Sequence, residues 1–301
     1  MIARMRKPLA ASILAAVVVC VTLAASQAPG VTRHSLDAGG LARTYDVEVP
    51  ANVVAQPALI VMLHGHGGTG AQMRRYKDMG QVTGDAAVIV YPDGIDRSWS
   101  DGRVIRSSQD DIGFLRSLIA TVQATYGTDP KRVYVAGMSN GAMMALRVAC
   151  QMPEVAAVAA VSGGLPVQWK DDCRPAHPVS VLGIDGTADP IVPFDGGGVF
   201  DDRNGDVLSA ADTIATYRRA DGCGAGQTLP PTPVASDGTS ATFERWSGCA
   251  AGTSVELATV HDGGHGWPGG RQYFPKRLVG TVSQAFDANS YIWEFFKAAS
   301  R

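Results

Sequence analysis

The 301-residue sequence predicts an α/β domain, a mostly parallel central sheet with helices on both faces. Three observations carry this reading. Short, uninterrupted apolar runs recur along the chain, as strands buried on both faces require. Helical patterns with a single apolar stripe fall between them. Clusters of Gly, Pro and Asp separate the two kinds of segment, so strand and helix alternate.

Taken in order, the first run is Ala58-Leu59-Ile60-Val61-Met62-Leu63, followed by Ala86-Ala87-Val88-Ile89-Val90-Tyr91, which Pro92 ends. Asp111 is placed as the N-cap of a helix whose buried stripe is Ile112, Leu115, Leu118, Ile119 and Val122, closed by Gly127 and Pro130. Arg132-Val133-Tyr134-Val135-Ala136 is the next strand, and Ala142 to Cys150 the next helix. Val155 to Val161 and Val179 to Ile184 read as strands. Ser209 with Asp212 resembles a capping box opening another helix. Val255 to Val260 is a late strand, and a final amphipathic helix holds Phe286, Tyr291, Ile292, Trp293 and Phe296. In such a sheet, ligands collect at the carboxyl ends of the strands.

The first 28 residues stand apart. Arg4, Arg6 and Lys7 precede an apolar run from Leu9 to Ala25, and small residues follow up to Ala28. This is the three-part layout of a secretory signal peptide, with cleavage expected after Ser26 or Ala28. A transmembrane anchor is the competing reading, but the run is short for a span. The expected organisation is a leader over residues 1–28 and one domain over residues 29–301, extracellular and monomeric. Removing the leader takes the formal charge from −2 to −5. A mildly acidic protein lacks the electrostatic footprint for nucleic acid or anionic membranes. With 46% hydrophobic and 18% charged residues, the chain is not disordered.

Outside the leader four cysteines remain: Cys150, Cys173, Cys223 and Cys249. An even number in an exported protein reads as two disulfides with three possible connectivities. Nearest-neighbour pairing, Cys150 with Cys173 and Cys223 with Cys249, is favoured.

Gly137-Met138-Ser139-Asn140-Gly141 matches G-x-S-x-G. The pattern alone is weak, but it directly follows a buried strand and directly precedes a helix. That is the sharp turn which lifts a serine hydroxyl above a sheet. A serine nucleophile needs a base. In enzymes of this architecture the chain order is serine, acid, histidine, which leaves His177, His261 and His265. His265 lies in a Gly-rich loop just after a strand, His261 sits at that strand's end, and His177 precedes a strand at the wrong edge. The acid should follow an intermediate strand, where Asp185 and Asp189 both fit, and spacing does not choose between them. His64-Gly65-His66-Gly67-Gly68 also follows a strand. Its His66 N–H, with the N–H of Asn140, would suit a developing oxyanion. A rival reading takes His64 and His66 as zinc ligands, and the run Asp202-x-Asn204-x-Asp206 only loosely resembles a calcium loop.

The ordered set LHGHGG, SWSDGR, DDIGFL, DPKRVYVAGMSNGAMM, GTADPIVP and GGHGWPGG resembles the secreted poly(3-hydroxybutyrate) depolymerase and feruloyl esterase type of α/β-hydrolase, from about Ala58 to Gly270. The resemblance implies Ser139 as nucleophile, Asp189 as acid and His265 as base, with no cofactor. It also agrees with the cysteine pairing above. Three positions depart from the pattern: His66 where relatives often have Cys, Asp185 where many have His, and Gly266 where many have Thr. Trp99 and Trp267 are candidates for an aromatic wall along the substrate. The implied function is hydrolysis of carboxylic esters, either hydroxybutyrate oligomers or polymer, or feruloyl or acetyl esters of plant polysaccharide. A zinc hydrolase and a non-catalytic secreted binding protein on the same fold are the alternatives.

Overall fold

A computed structural model describes residues 29–103, 109–200 and 204–301. The expected leader lies outside the described residues, as does Asp202 of the candidate calcium run. Strands β1 (Gly30–Ala38) and β2 (Leu41–Val49) form an antiparallel hairpin at the N-terminus. Next come β3 (Ala58–Leu63), the short helices α1 (Gly70–Tyr76) and α2 (Gly80–Thr83), β4 (Ala87–Pro92), and the long helix α3 (Asp111–Tyr126). Then follow β5 (Val133–Met138), α4 (Asn140–Gln151), β6 (Ala157–Val161) and β7 (Ser180–Gly186). A two-residue ribbon, β8 (Gly197–Gly198) with β9 (Asp206–Val207), precedes α5 (Ala210–Ala220). The chain ends with β10 (Gly226–Leu229), β11 (Ser240–Trp246), β12 (Val255–His261), α6 (Lys276–Val279) and α7 (Ala288–Lys297).

Ten strands form one sheet in the order β1-β2-β4-β3-β5-β6-β7-β12-β11-β10. The six central strands run parallel, and antiparallel pairs flank them at both edges. Alternation along β3 shows why its run is apolar throughout. Leu59, Val61 and Leu63 join the core beneath α3, α4 and α5. Ala58, Ile60 and Met62 join the opposite core, beneath α1 and α7. A strand covered on both faces has no solvent side on which to place a polar residue. Fold and architecture thus agree with the prediction.

Some boundaries differ from it. The N-cap of α3 is Asp110, whose carboxylate accepts from Gly113 N. Asp111 is instead the first helical residue, fully buried, accepting from Arg43 at 2.7 Å and from Ser100 N at 2.7 Å. Phe286 precedes α7 rather than lying within it. At α5, Ser209 Oγ caps Asp212 N at 3.0 Å as expected, and the same hydroxyl donates to the Asp212 carboxylate. The sequence reading missed β1, β2, β10 and β11 altogether. Disulfides join Cys150 to Cys173 and Cys223 to Cys249, the nearest-neighbour pairs. Among the described residues no helix is long and apolar enough to cross a membrane.

Candidate active site

The carboxyl ends of β3, β5, β7 and β12 deliver the candidate groups to one rim of the sheet. Ser139 sits between β5 and α4 with φ 58° and ψ −122°, a backbone conformation costly for a residue with a side chain. Both flanking glycines are required by close approach. A Cβ at position 137 would lie 2.2 Å from Gly141 O, and one at 141 would lie 2.4 Å from Leu63 O. The turn is held by Ser139 N donating to Val161 O at 2.9 Å and by Met143 N donating to Ser139 O at 3.0 Å.

His265 and Asp189 meet although 76 residues separate them. His265 Nδ1 donates to Asp189 Oδ2 at 2.8 Å, and both side chains are nearly inaccessible. Asp189 is itself anchored, because its Oδ1 accepts from Ile191 N at 2.8 Å and Val192 N at 2.9 Å. The His265 loop packs backbone against backbone. Gly264 N donates to Thr281 O, His265 N to Val279 O, and Tyr273 OH to His265 O at 2.8 Å. Asp185, the alternative acid, points elsewhere and accepts from Gly163 N at 3.1 Å. Burial pushes its carboxyl up to about 7; the Gly163 N–H opposes this, and the nearby Asp189 charge adds to it. His261 is bonded to Thr242 Oγ1 at 3.0 Å, and His177 is exposed ahead of β7.

A cavity of about 810 Å³ joins these parts, with Ser139, His265, His66 and Asn140 in its lining. Among the described residues no hydrogen bond reaches Ser139 Oγ, so the serine and His265 share the cavity without touching through one. The Asn140 side chain belongs to the scaffold. Its Oδ1 accepts from Trp99 N at 2.7 Å, and its Nδ2 donates to Trp99 O at 3.0 Å and to Asp101 Oδ2 at 2.6 Å. Trp99 Nε1 in turn donates to His64 O at 2.9 Å, tying the 64–68 loop to the start of α4.

That network corrects the proposed aromatic wall. Trp99 and Trp267 are 0% and 1% exposed and do not line the cavity. Trp267 Nε1 donates to Asn289 Oδ1, so each ring acts as a buried strut between loops. Tyr76, Tyr273, Phe274 and Phe200 supply the aromatic lining instead. No local pattern marked them, because their loops reach the cavity only in the folded chain. The zinc reading also meets a specific obstacle. The buried His64 ring donates from Nδ1 to Gly65 O at 2.8 Å and accepts Gly94 N at Nε2 at 3.0 Å, so both nitrogens are engaged by backbone. Burial lowers its pKa, favouring the neutral ring these bonds need. Among the described residues no three metal-ligating side chains converge.

Comparison with known proteins gives consistent findings. Residues 100–202 match the Dienelactone hydrolase family. The chain is 32% identical over 271 residues to "Putative esterase NocK" of Nocardia uniformis subsp. tsuyamanensis, covering 84% of this chain and 78% of that protein. It is 28% identical over 190 residues to Feruloyl esterase B of Piromyces equi, covering 60% of this chain but only 34% of that longer protein. Among solved structures, the acetyl xylan esterase from Aspergillus awamori superposes with a TM-score of 0.59 at 15% identity, covering 89% of this chain and all of that one. A thermostable esterase gives 0.57 at 16% identity, over 90% of this chain and 64% of that one. At those identities the two structures speak to the fold alone.

Proposed function

The chain belongs to the α/β-hydrolase esterases that include NocK and is a carboxylic ester hydrolase, and from that premise we propose that it is an exported serine esterase using Ser139, His265 and Asp189. Ser139 Oγ attacks the ester carbonyl while His265 Nε2 takes its proton. The proton then passes to the leaving alcohol, and a water activated by the same imidazole hydrolyses the acyl-enzyme. Asp189 holds the tautomer with the proton on Nδ1 and stabilises the imidazolium that forms. The N–H groups of His66 and Asn140 receive the oxyanion. Catalytic hydrogen bonds often tighten only once substrate is bound, which accommodates the open Ser139–His265 approach.

The observation that carries this reading is the 2.8 Å His265–Asp189 bond beside a serine held at positive φ in the same cavity. Two disulfides suit an oxidising, extracellular compartment. The substrates proposed are feruloyl or acetyl esters or hydroxybutyrate oligomers, with the folded monomer acting alone. The test is a panel of p-nitrophenyl esters, methyl ferulate and hydroxybutyrate oligomers assayed beside Ser139→Ala. Turnover is expected to fall by about 10⁴-fold or more in the variant, as removal of an activated nucleophile does elsewhere. A variant retaining wild-type kcat would refute the mechanism.

A further inference from the structure

The cavity is unevenly charged. Arg75, Arg97, Arg103 and Arg271 line it, and among the described residues no Asp or Glu does. This occurs in a chain whose formal charge is −2, so the positive field is local rather than a reflection of composition. Arg103 is neutralised, because its guanidinium is buried against the Asp101 carboxylate, with Nη2 to Oδ2 at 2.6 Å. Among the described residues Arg75, Arg97 and Arg271 form no ion pair. Arg97 reaches, among the described residues, two neutral acceptors, Gly68 O and Gln72 Oε1, both at 3.4 Å. Arg74, which precedes Arg75 on α1, faces Asp46 at 4.0 Å instead, which leaves Arg75 as the cation that α1 turns toward the cavity.

The backbone of Arg271 is tied to the aromatic lining beside His265. Its carbonyl accepts from Tyr76 OH at 3.3 Å. Tyr76 packs edge-on against Tyr273 at 5.4 Å, and Tyr273 OH bonds the carbonyl of His265. The aromatic pair beside the imidazole and the three guanidinium groups that form no ion pair among the described residues thus belong to the lining of one cavity. A partly enclosed cleft lined by one sign of charge concentrates ligands of the other sign, and guanidinium is well matched to a carboxylate.

Resting on the serine-esterase reading above, we infer that the preferred substrate is an ester bearing a free carboxylate, held by Arg75, Arg97 and Arg271 while Ser139 attacks the ester group. The carboxylate can belong to the acyl part or to the alcohol part, and two substrate pairs separate these sources. Mono(4-nitrophenyl) adipate is compared with its methyl ester for the acyl side, and 4-acetoxybenzoate with methyl 4-acetoxybenzoate for the alcohol side. In at least one pair the anionic member is expected to show kcat/KM about tenfold higher at low ionic strength, as a cleft of one sign provides. The advantage should shrink several-fold at about 0.5 M salt, where screening acts over only a few ångströms. Arg271→Gln and Arg75→Gln should each lower the anionic-to-neutral ratio at least threefold, while Arg271→Lys keeps most of it. The wild-type ratio and its salt dependence decide the matter even if a variant fails to fold. Equal hydrolysis of both members in both pairs, or preference for the neutral ones, overturns the inference and leaves the esterase reading standing. If none of the four esters is hydrolysed while methyl ferulate or a hydroxybutyrate oligomer is, this inference falls alone; no hydrolysis of any of these esters removes the esterase reading, and this inference with it.

Discussion

Asp185 shows how a single buried carboxyl couples fold to pH. It lies on β7, four residues before the acid that meets His265, and among the described residues the hydrogen bond it accepts is from Gly163 N. In the unfolded chain it titrates near 3.8, and in the fold at about 7. The folded state therefore binds a proton that the unfolded state releases between these values. Stability is greatest below the lower pKa, declines as pH rises toward 7, and is level above it. The full difference corresponds to roughly 4 kcal/mol. Asp185→Asn keeps an oxygen to accept from Gly163 N and removes the charge. The variant should match the wild type near pH 4 and exceed it by about 2–4 kcal/mol at pH 8, as read from denaturant midpoints at the two pH values. A gain that is the same at both pH values would show that the carboxyl does not titrate this way.

The turn from β5 into α4 is set by contacts between backbones rather than by helix propensity. Gly141 leaves the first turn of α4 close enough to β3 for a methyl group to strike Leu63 O and His64 O. The His64 carbonyl cannot retreat, because it is held by Trp99 Nε1, whose backbone Asn140 positions. Gly141→Ala should therefore cost about 3 kcal/mol, at the upper end for overpacking, and displace the 64–68 loop from Ser139. Urea denaturation measures the first effect and the loss of esterase turnover the second. A variant with an unchanged midpoint would mean that the helix start can slide.

Across the whole molecule, the disulfides staple segments whose cysteines do not line the cavity. Cys150 lies in the last turn of α4 and ties it to the loop before β7, while Cys223, just after α5, is tied to Cys249 in the loop before β12. Closing loops of 23 and 26 residues restricts the denatured chain, worth roughly 3 kcal/mol each in the loop-entropy account. Replacing Cys223 and Cys249 by Ser should lower the thermal midpoint measurably while the ester specificity pattern stays the same. A changed ratio among esters would instead place the α5 end in contact with the cavity.

The central sheet was legible in the chain because a strand covered on both faces is apolar along nearly all its length; β3, β4, β5 and β6 read that way, and β7 departs from it at Ser180 and Asp185. The Ser139 turn was legible for a related reason, since close backbone packing admits only Gly at 137 and 141, and both lie next to the serine in sequence. The edge strands left no such mark. β1 and β10 are both exposed or half-buried along their whole length, and a strand with no buried face carries no hydrophobic period. Spacing could not choose between Asp185 and Asp189, which are both acidic, close in sequence and at the end of the same strand. The folded loops choose, turning Asp189 toward His265 and Asp185 toward Gly163. The same holds for Trp99 and Trp267, whose burial depends on what packs over them, and for the arginines of the cavity, which come from separate loops and helices. Local patterns reveal whatever neighbouring residues must satisfy together, whereas the meeting of distant side chains depends on the path of the chain between them.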